Sequence, residues 1–167
     1  DSASAVDDAL LELATRTIGR KPAFWGRYLT DGGVGATPIT REEVSYLHSH
    51  GIAVALVYNR LESGGQGTAY SAIQECKRLL GDAPTGTTIF VDIEYGVQVS
   101  GPWLLGFLNS MVNYGLRAGI YAPMASPSVH TALLSLWKDD RKNIVLWNAH
   151  WLEPAGSMPS DFQIEGC

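Results

Sequence analysis

Five short apolar runs recur along the chain, at 23–29, 52–58, 88–94, 118–121 and 143–147, and a helix-length segment precedes each of them. The second run, Ile52-Ala53-Val54-Ala55-Leu56-Val57-Tyr58, is apolar at every position rather than at every other one. A strand of that composition is buried on both faces, as in a parallel sheet covered by helices; a half-exposed antiparallel strand would alternate. Helices alternating with such strands predict an α/β fold on a parallel sheet. No linker or low-complexity stretch interrupts the pattern, so residues 1–167 read as one domain.

Local signals set the expected boundaries. The first helix is expected from about Ala5 to Ile18, with Ser4 as cap and Gly19 as stop. Thr40 and Glu43 have the spacing of a capping box, opening a second helix that Gly51 closes. Three more helices are expected, from about Thr68 to Leu80, from Pro102 to Gly115, and from Pro127 to about Lys138. A sixth, weaker strand candidate is Phe162-Gln163-Ile164.

Composition narrows the function classes. The net charge is −5, and no basic run exceeds the pair Arg141-Lys142, so the basic stripe of a nucleic-acid reader is missing. No apolar stretch reaches the ~18 residues of a membrane span, and no basic-then-apolar leader opens the sequence. Neither G-x-G-x-x-G nor a P-loop follows any strand, which argues against a nucleotide-binding α/β protein. His48 and His50 fall in the last turn of a helix, where histidine complements the helix dipole without a metal. Ser100 and Ser110 lack the setting of a catalytic nucleophile, and Asp139-Asp140-Arg141-Lys142 reads as a solvated turn. Cys76 and Cys167 allow either one disulfide, as in an exported protein, or a buried free thiol at Cys76.

Asp92-Ile93-Glu94 is the segment with the most chemistry in it. Strand residues two apart share a face, so both carboxylates project together while Val91 and Ile93 face the other way. They close their strand at its carboxyl end, where ligands bind in barrels and open α/β sheets alike. Neighbouring carboxylates separate their titrations, so that one can stay protonated near neutrality while the other is ionised. A glycosidic bond is cleaved by that combination. The structural alternative is a pair that salt-bridges Arg27 or caps the following helix. Other strand ends add Arg27 and Tyr28, Tyr58 and Asn59, Tyr121, then Trp147, Asn148, His150 and Trp151, with Tyr95 beside the acids. Aromatic faces and hydrogen-bonding groups together suit a saccharide.

The run Phe24-Trp25-Gly26-Arg27-Tyr28-Leu29, the segment 38–43, Gly51-Ile52, Val91-Asp92-Ile93-Glu94 and Gly119-Ile120-Tyr121 occur in a telling order. With them the chain resembles the glycoside-hydrolase-like TIM-barrel domain, which is similar to the family-25 lysozymes. Leu146-Trp147-Asn148-Ala149-His150-Trp151 is similar to a later strand of those lysozymes, L-W-x-A-x-[YW]. The resemblance implies a compact (β/α) barrel, incomplete at both termini. It implies Glu94 as acid/base, and Asp92 as stabiliser of the charged intermediate. Asp1 would match the aspartate that ends the family's opening strand, and neither Asp161 nor Glu165 matches the aspartate of its closing strand. Arg27, Tyr58, Asn59, Tyr95, Tyr121, Trp147, Asn148 and Trp151 would contact the substrate. The expectation is thus a secreted or cell-surface monomer acting on cell-wall or other polysaccharide, with no cofactor or metal. The alternative is a non-catalytic carbohydrate-binding barrel that keeps the pocket.

Overall fold

The computed structural model describes residues 1–32, 35–82, 85–94, 96–123 and 126–149. Helices and strands alternate: α1 (Asp8–Ile18), β1 (Phe24–Tyr28), α2 (Arg41–Ser49), β2 (Ala53–Tyr58), α3 (Gly65–Leu80), β3 (Thr88–Asp92), α4 (Gly101–Asn113), β4 (Arg117–Ala122), α5 (Pro127–Ser135), α6 (Lys138–Arg141) and β5 (Ile144–Asn148). The strands form one sheet in the order β1-β2-β3-β4-β5, every neighbouring pair parallel. The expected α/β class with a parallel sheet is therefore what the chain adopts. Among the described residues no helix is long and apolar enough to cross a membrane.

Each crossover steps to the adjacent strand, and a constant right-handed sense puts all the helices on one side. The burial pattern agrees. Leu56, Ile89, Val91, Ile93, Ala118 and Ile120 pack with Ile73 and Cys76 of α3, Leu104, Phe107 and Met111 of α4, and Val129 and Leu133 of α5. A smaller cluster joins Trp25 to Val6, Leu11, Leu47 and Ile52. The register puts Tyr28 beside Val57, Val57 beside Phe90 and Asp92 beside Tyr121, so these residues share the opposite face.

That opposite face is concave. β1 and β5 are the two ends of the strand order, yet the Trp147 ring on β5 lies edge-on to Phe24 at 5.5 Å between centroids. A Cβ at Gly26 would sit 2.6 Å from the same indole, and one at Gly119 would sit 2.5 Å from the Phe90 ring. Glycine is needed at both strand positions because large rings occupy the space a side chain would take.

Several boundaries differ from those expected. α1 starts at Asp8, with the Asp7 carboxylate accepting from the Leu10 N–H at 2.8 Å in the role expected of Ser4. The residues before it are tied down by hydrogen bonds: the Ser2 N–H donates to Gly26 O, the Ala3 carbonyl accepts from Thr37 N–H, and the Val6 N–H donates to the Glu43 carboxylate. Thr40 caps α2 by accepting from the Glu43 N–H at 3.2 Å. The other half of the capping box is missing, because the Glu43 side chain turns inward to Arg27. α5 ends at Ser135 rather than near Lys138, and three residues of the solvated turn expected at Asp139-Asp140-Arg141-Lys142 fall in the short helix α6, with an exposed Lys142–Asp139 ion pair at 2.9 Å. Cys76 is a buried free thiol whose pKa burial pushes up to about 11. Cys167 and the strand candidate 162–164 lie outside the described residues.

α3 begins at Gly65, three residues earlier than Thr68, where the sequence suggests a glycine-rich loop. α3 crosses α4 so closely that a Cβ on Gly65 would come within 1.8 Å of the Trp103 carbonyl oxygen and 2.8 Å of the Phe107 nitrogen. Both are backbone atoms and cannot swing aside. Gly65→Ala is therefore expected to lower stability by about 1–3 kcal/mol, the usual cost of overpacking. A thermal melt showing Gly65→Ala equal to or better than the parent would contradict this packing.

Candidate active site

The carboxyl ends of the strands on the concave face bring three acids together. Asp92 is the last residue of β3 and pairs in register with Tyr121 of β4. The ladder continues one residue further, the Ile93 N–H donating to Tyr121 O at 2.8 Å, which fixes the geometry at Asp92. Glu94, two residues on, is exposed at the rim. Val91 and Ile93 are fully buried on the helix side, as the alternation requires.

Asp92 is only 3% exposed, and its Oδ1 has no hydrogen-bond partner. Burial, then the charge on Glu94, pushes its pKa up to about 7. A carboxyl in this setting keeps its proton near neutrality because ionisation would put charge in a poorly solvated site beside a like charge.

Asp1 is the third acid. Its Oδ2 accepts from the Tyr121 hydroxyl at 3.2 Å and the Tyr28 hydroxyl at 3.4 Å. Ser2 holds it there: an isolated parallel bridge joins Ser2 to Arg27, and Trp25 Nε1 donates to Ser2 Oγ at 3.0 Å. Burial, followed by the charges of Asp92 and Glu94, raises the Tyr28 phenol. Burial, Tyr28 and the same two acids push Tyr121 up to about 12. Both phenols therefore stay protonated and act as donors. Trp147 forms the floor, edge-on to Phe90 at 5.5 Å and to Tyr121 at 4.9 Å between centroids.

Not every residue expected at the site is there. Arg27 is fully buried on the helix side and does not reach Asp92 or Glu94. Its Nε donates to Glu43 Oε1 at 2.6 Å and its Nη2 to Oε2 at 3.2 Å, while Nη1 and Nη2 donate to the Ser2 and Thr37 carbonyls. Strand alternation is the reason: Arg27 and Tyr28 are adjacent, so only one can face the concave side. Both the substrate contact expected of Arg27 and its pairing with the D-x-E acids are thus replaced by a pairing with Glu43. Tyr58 is buried in the helix-side core, again by alternation, and only 4% exposed. It borders a groove of 380 Å³ together with Thr30, Arg60, Glu62 and Ser71. Asn148, in register with Ala122, also falls on the helix side, opposite to Trp147. Asn59 follows β2 on the concave parity; its Oδ1 accepts from Thr30 Oγ1 at 2.5 Å, and its buried Nδ2 has no partner. Tyr95, His150 and Trp151 lie outside the described residues.

Tyr28 is the site residue whose importance the sequence understates, since it reads there as one polar strand end among many. Gly26 is the signal that could have marked it, because a glycine inside a strand often marks a close approach by another group. Among the described residues, no group of His, Cys, Asp and Glu could hold a metal ion. The arrangement offers a buried protonatable carboxyl, an exposed carboxyl beside it, a carboxylate held by two phenols, and an indole floor.

No family model matches the chain, and no curated protein does. The chain is similar to a crystal structure of an uncharacterized B. stearothermophilus protein. The two share 27% identity with a TM-score of 0.77, over 89% of this chain and 72% of that one. The α/β architecture is shared with that protein.

Proposed function

We propose that the concave face is the active site of a glycoside-hydrolase-like barrel that cleaves polysaccharide at the cell wall or outside the cell. The gathering of Asp1, Asp92 and Glu94 around Tyr28, Tyr121 and Trp147, with a proton held on Asp92 to about pH 7, carries this reading. The sequential strand order and the curl that takes Trp147 to Gly26 support a barrel. So does the parallel bridge of Ser2 along the free edge of β1, where a preceding strand would run.

In this reading the Asp92–Glu94 pair carries one proton at rest. Glu94, exposed at the rim, is the carboxyl that can meet a glycosidic oxygen. The proton reaches the leaving oxygen through Glu94 as the bond from that oxygen to the anomeric carbon breaks. Asp92 and Asp1 are then left as carboxylates facing the positive charge on the sugar. Water attacks the anomeric carbon and gives its proton back to the pair. The phenols of Tyr28 and Tyr121 hold Asp1 in position, and Trp147 offers an aromatic surface to the sugar.

Release of reducing ends from a panel of purified cell walls and polysaccharides tests this, wild type beside Glu94→Gln. Wild-type release is expected to fall by about 10²–10⁴-fold in the folded variant, with sugar binding retained. Release should also decline as pH rises through about 7, when the pair loses its proton. Failure of the wild type to release sugar from any wall, with binding intact, would replace this reading by the non-catalytic carbohydrate-binding barrel.

A further inference from the structure

Among the described residues, the charged side chains gathered at the carboxyl end of the concave face are acidic. Asp1, Asp92 and Glu94 gather there around the phenols of Tyr28 and Tyr121, and the protein as a whole carries −5. The two arginines nearest in sequence to these strand ends do not offset them. Arg27 lies on the other face, doubly bonded to Glu43, and Arg60 is paired with Asp31. At the floor, Asp92 Oδ1 is buried and has no hydrogen-bond donor. A buried carboxyl oxygen without a donor is costly, and among the described residues neither a side-chain cation nor an N–H or O–H is directed at that atom. A ligand ammonium brings both, and it gains further from the aromatic rings of Tyr28, Tyr121 and Trp147 around it. A ligand carboxylate would add a like charge beside the exposed Asp1 and Glu94 and the buried Asp92. We propose that this face selects glycans whose sugars carry free amino groups, discriminating against N-acetylated sugars and excluding uronate-containing chains. The inference rests on the reading of this face as a carbohydrate site and narrows its substrate class.

Calorimetric titration of the full chain against three matched oligosaccharides tests it, in slightly acidic buffer of low ionic strength. The ligands are a glucosamine oligomer, its fully N-acetylated counterpart and an oligogalacturonate. The glucosamine oligomer is expected to bind about tenfold tighter or more than the N-acetylated one, with no detectable binding of the galacturonate. Glu94→Gln, an exposed substitution, should shrink that preference several-fold. Asp139→Asn, a distant acidic control on α6, should leave it unchanged. Equal or tighter binding of the N-acetylated or acidic oligomer overturns the inference while leaving the carbohydrate site standing. A preference indifferent to Glu94→Gln overturns it as well, since the attraction would then belong to the acidic protein as a whole. If none of the three binds, the carbohydrate reading itself fails.

Discussion

Arg27→Ala is expected to destabilise the fold by about 3–5 kcal/mol, because it leaves the Glu43 carboxylate buried without its partner. Arg27 is fully buried and the Glu43 side chain is 5% exposed. The guanidinium donates to both carboxylate oxygens and to the carbonyls of Ser2 and Thr37, while Glu43 Oε1 also accepts the Val6 N–H. One side chain therefore ties β1 to α2, to the segment entering α2, and to the residues before α1. A buried ion pair adds little net stability over an apolar pair of the same shape, since desolvation offsets most of the attraction, but an orphaned partner is expensive. The double variant Arg27→Met/Glu43→Leu should accordingly recover much of the loss, though not the bonds to Ser2 O, Thr37 O and Val6 N–H. Arg27→Lys should fail to rescue, because an ammonium cannot supply the planar fork. Urea unfolding of the four proteins checks this, and an Arg27→Ala variant within 1 kcal/mol of wild type, a margin of roughly the median worth of an exposed pair, would refute it. The same substitution should disturb the proposed site at a distance, since Ser2 and with it Asp1 are held by Arg27.

Asp92→Asn is expected to stabilise the protein at alkaline pH and to change it little in acid. The folded state holds the Asp92 proton up to about pH 7, whereas the ordinary value is 3.8. Between those values the folded chain binds more protons than the unfolded chain, so stability falls as pH rises through the window and stays low above it. The difference between the folded and ordinary values corresponds to roughly 4 kcal/mol at most, and a gain of about 2–4 kcal/mol near pH 8 is the expected result for the neutral isostere. Near pH 4 both chains are nearly neutral at this position and the difference should almost vanish. Chemical unfolding at the two pH values distinguishes the cases: an equal effect at both, or a loss at pH 8, would contradict a carboxyl at Asp92 that resists ionisation in the fold. Glu94→Gln offers an independent check, because removing the neighbouring charge should lower the Asp92 midpoint in an NMR titration. A site that costs stability when ionised is the usual sign of a carboxyl kept for chemistry rather than for the fold.

Much of this architecture was legible in one dimension. The uninterrupted apolar run at 52–58 implied a strand covered on both faces, and β2 is such a strand, with Leu56 packed on the helices and Val57 buried on the concave side. Alternation within 91–94 sorted Val91 and Ile93 from Asp92 and Glu94 without any knowledge of the sheet. Where two neighbours were both polar, as at Arg27-Tyr28 and Tyr58-Asn59, the same rule said that one of each pair must turn away but not which. Helix ends were legible where the capping residue stood alone, as at Thr40; at α1 two cap candidates competed, and Asp7 takes the role in place of Ser4 while residues 2–6 bond to β1, Thr37 and Glu43.

By itself the sequence determined the α/β class, the helix–strand order and the position of the D-x-E acids, because these depend on periodicity and on contacts a few residues apart. Only the tertiary structure decided that Arg27 belongs to Glu43, sixteen positions away, and that Asp1 meets Tyr121 across 120 positions of chain. The curl that carries Trp147 to Gly26 was likewise settled there. Such pairings follow from which faces two elements present to each other once the sheet has bent, and no local pattern encodes that bend.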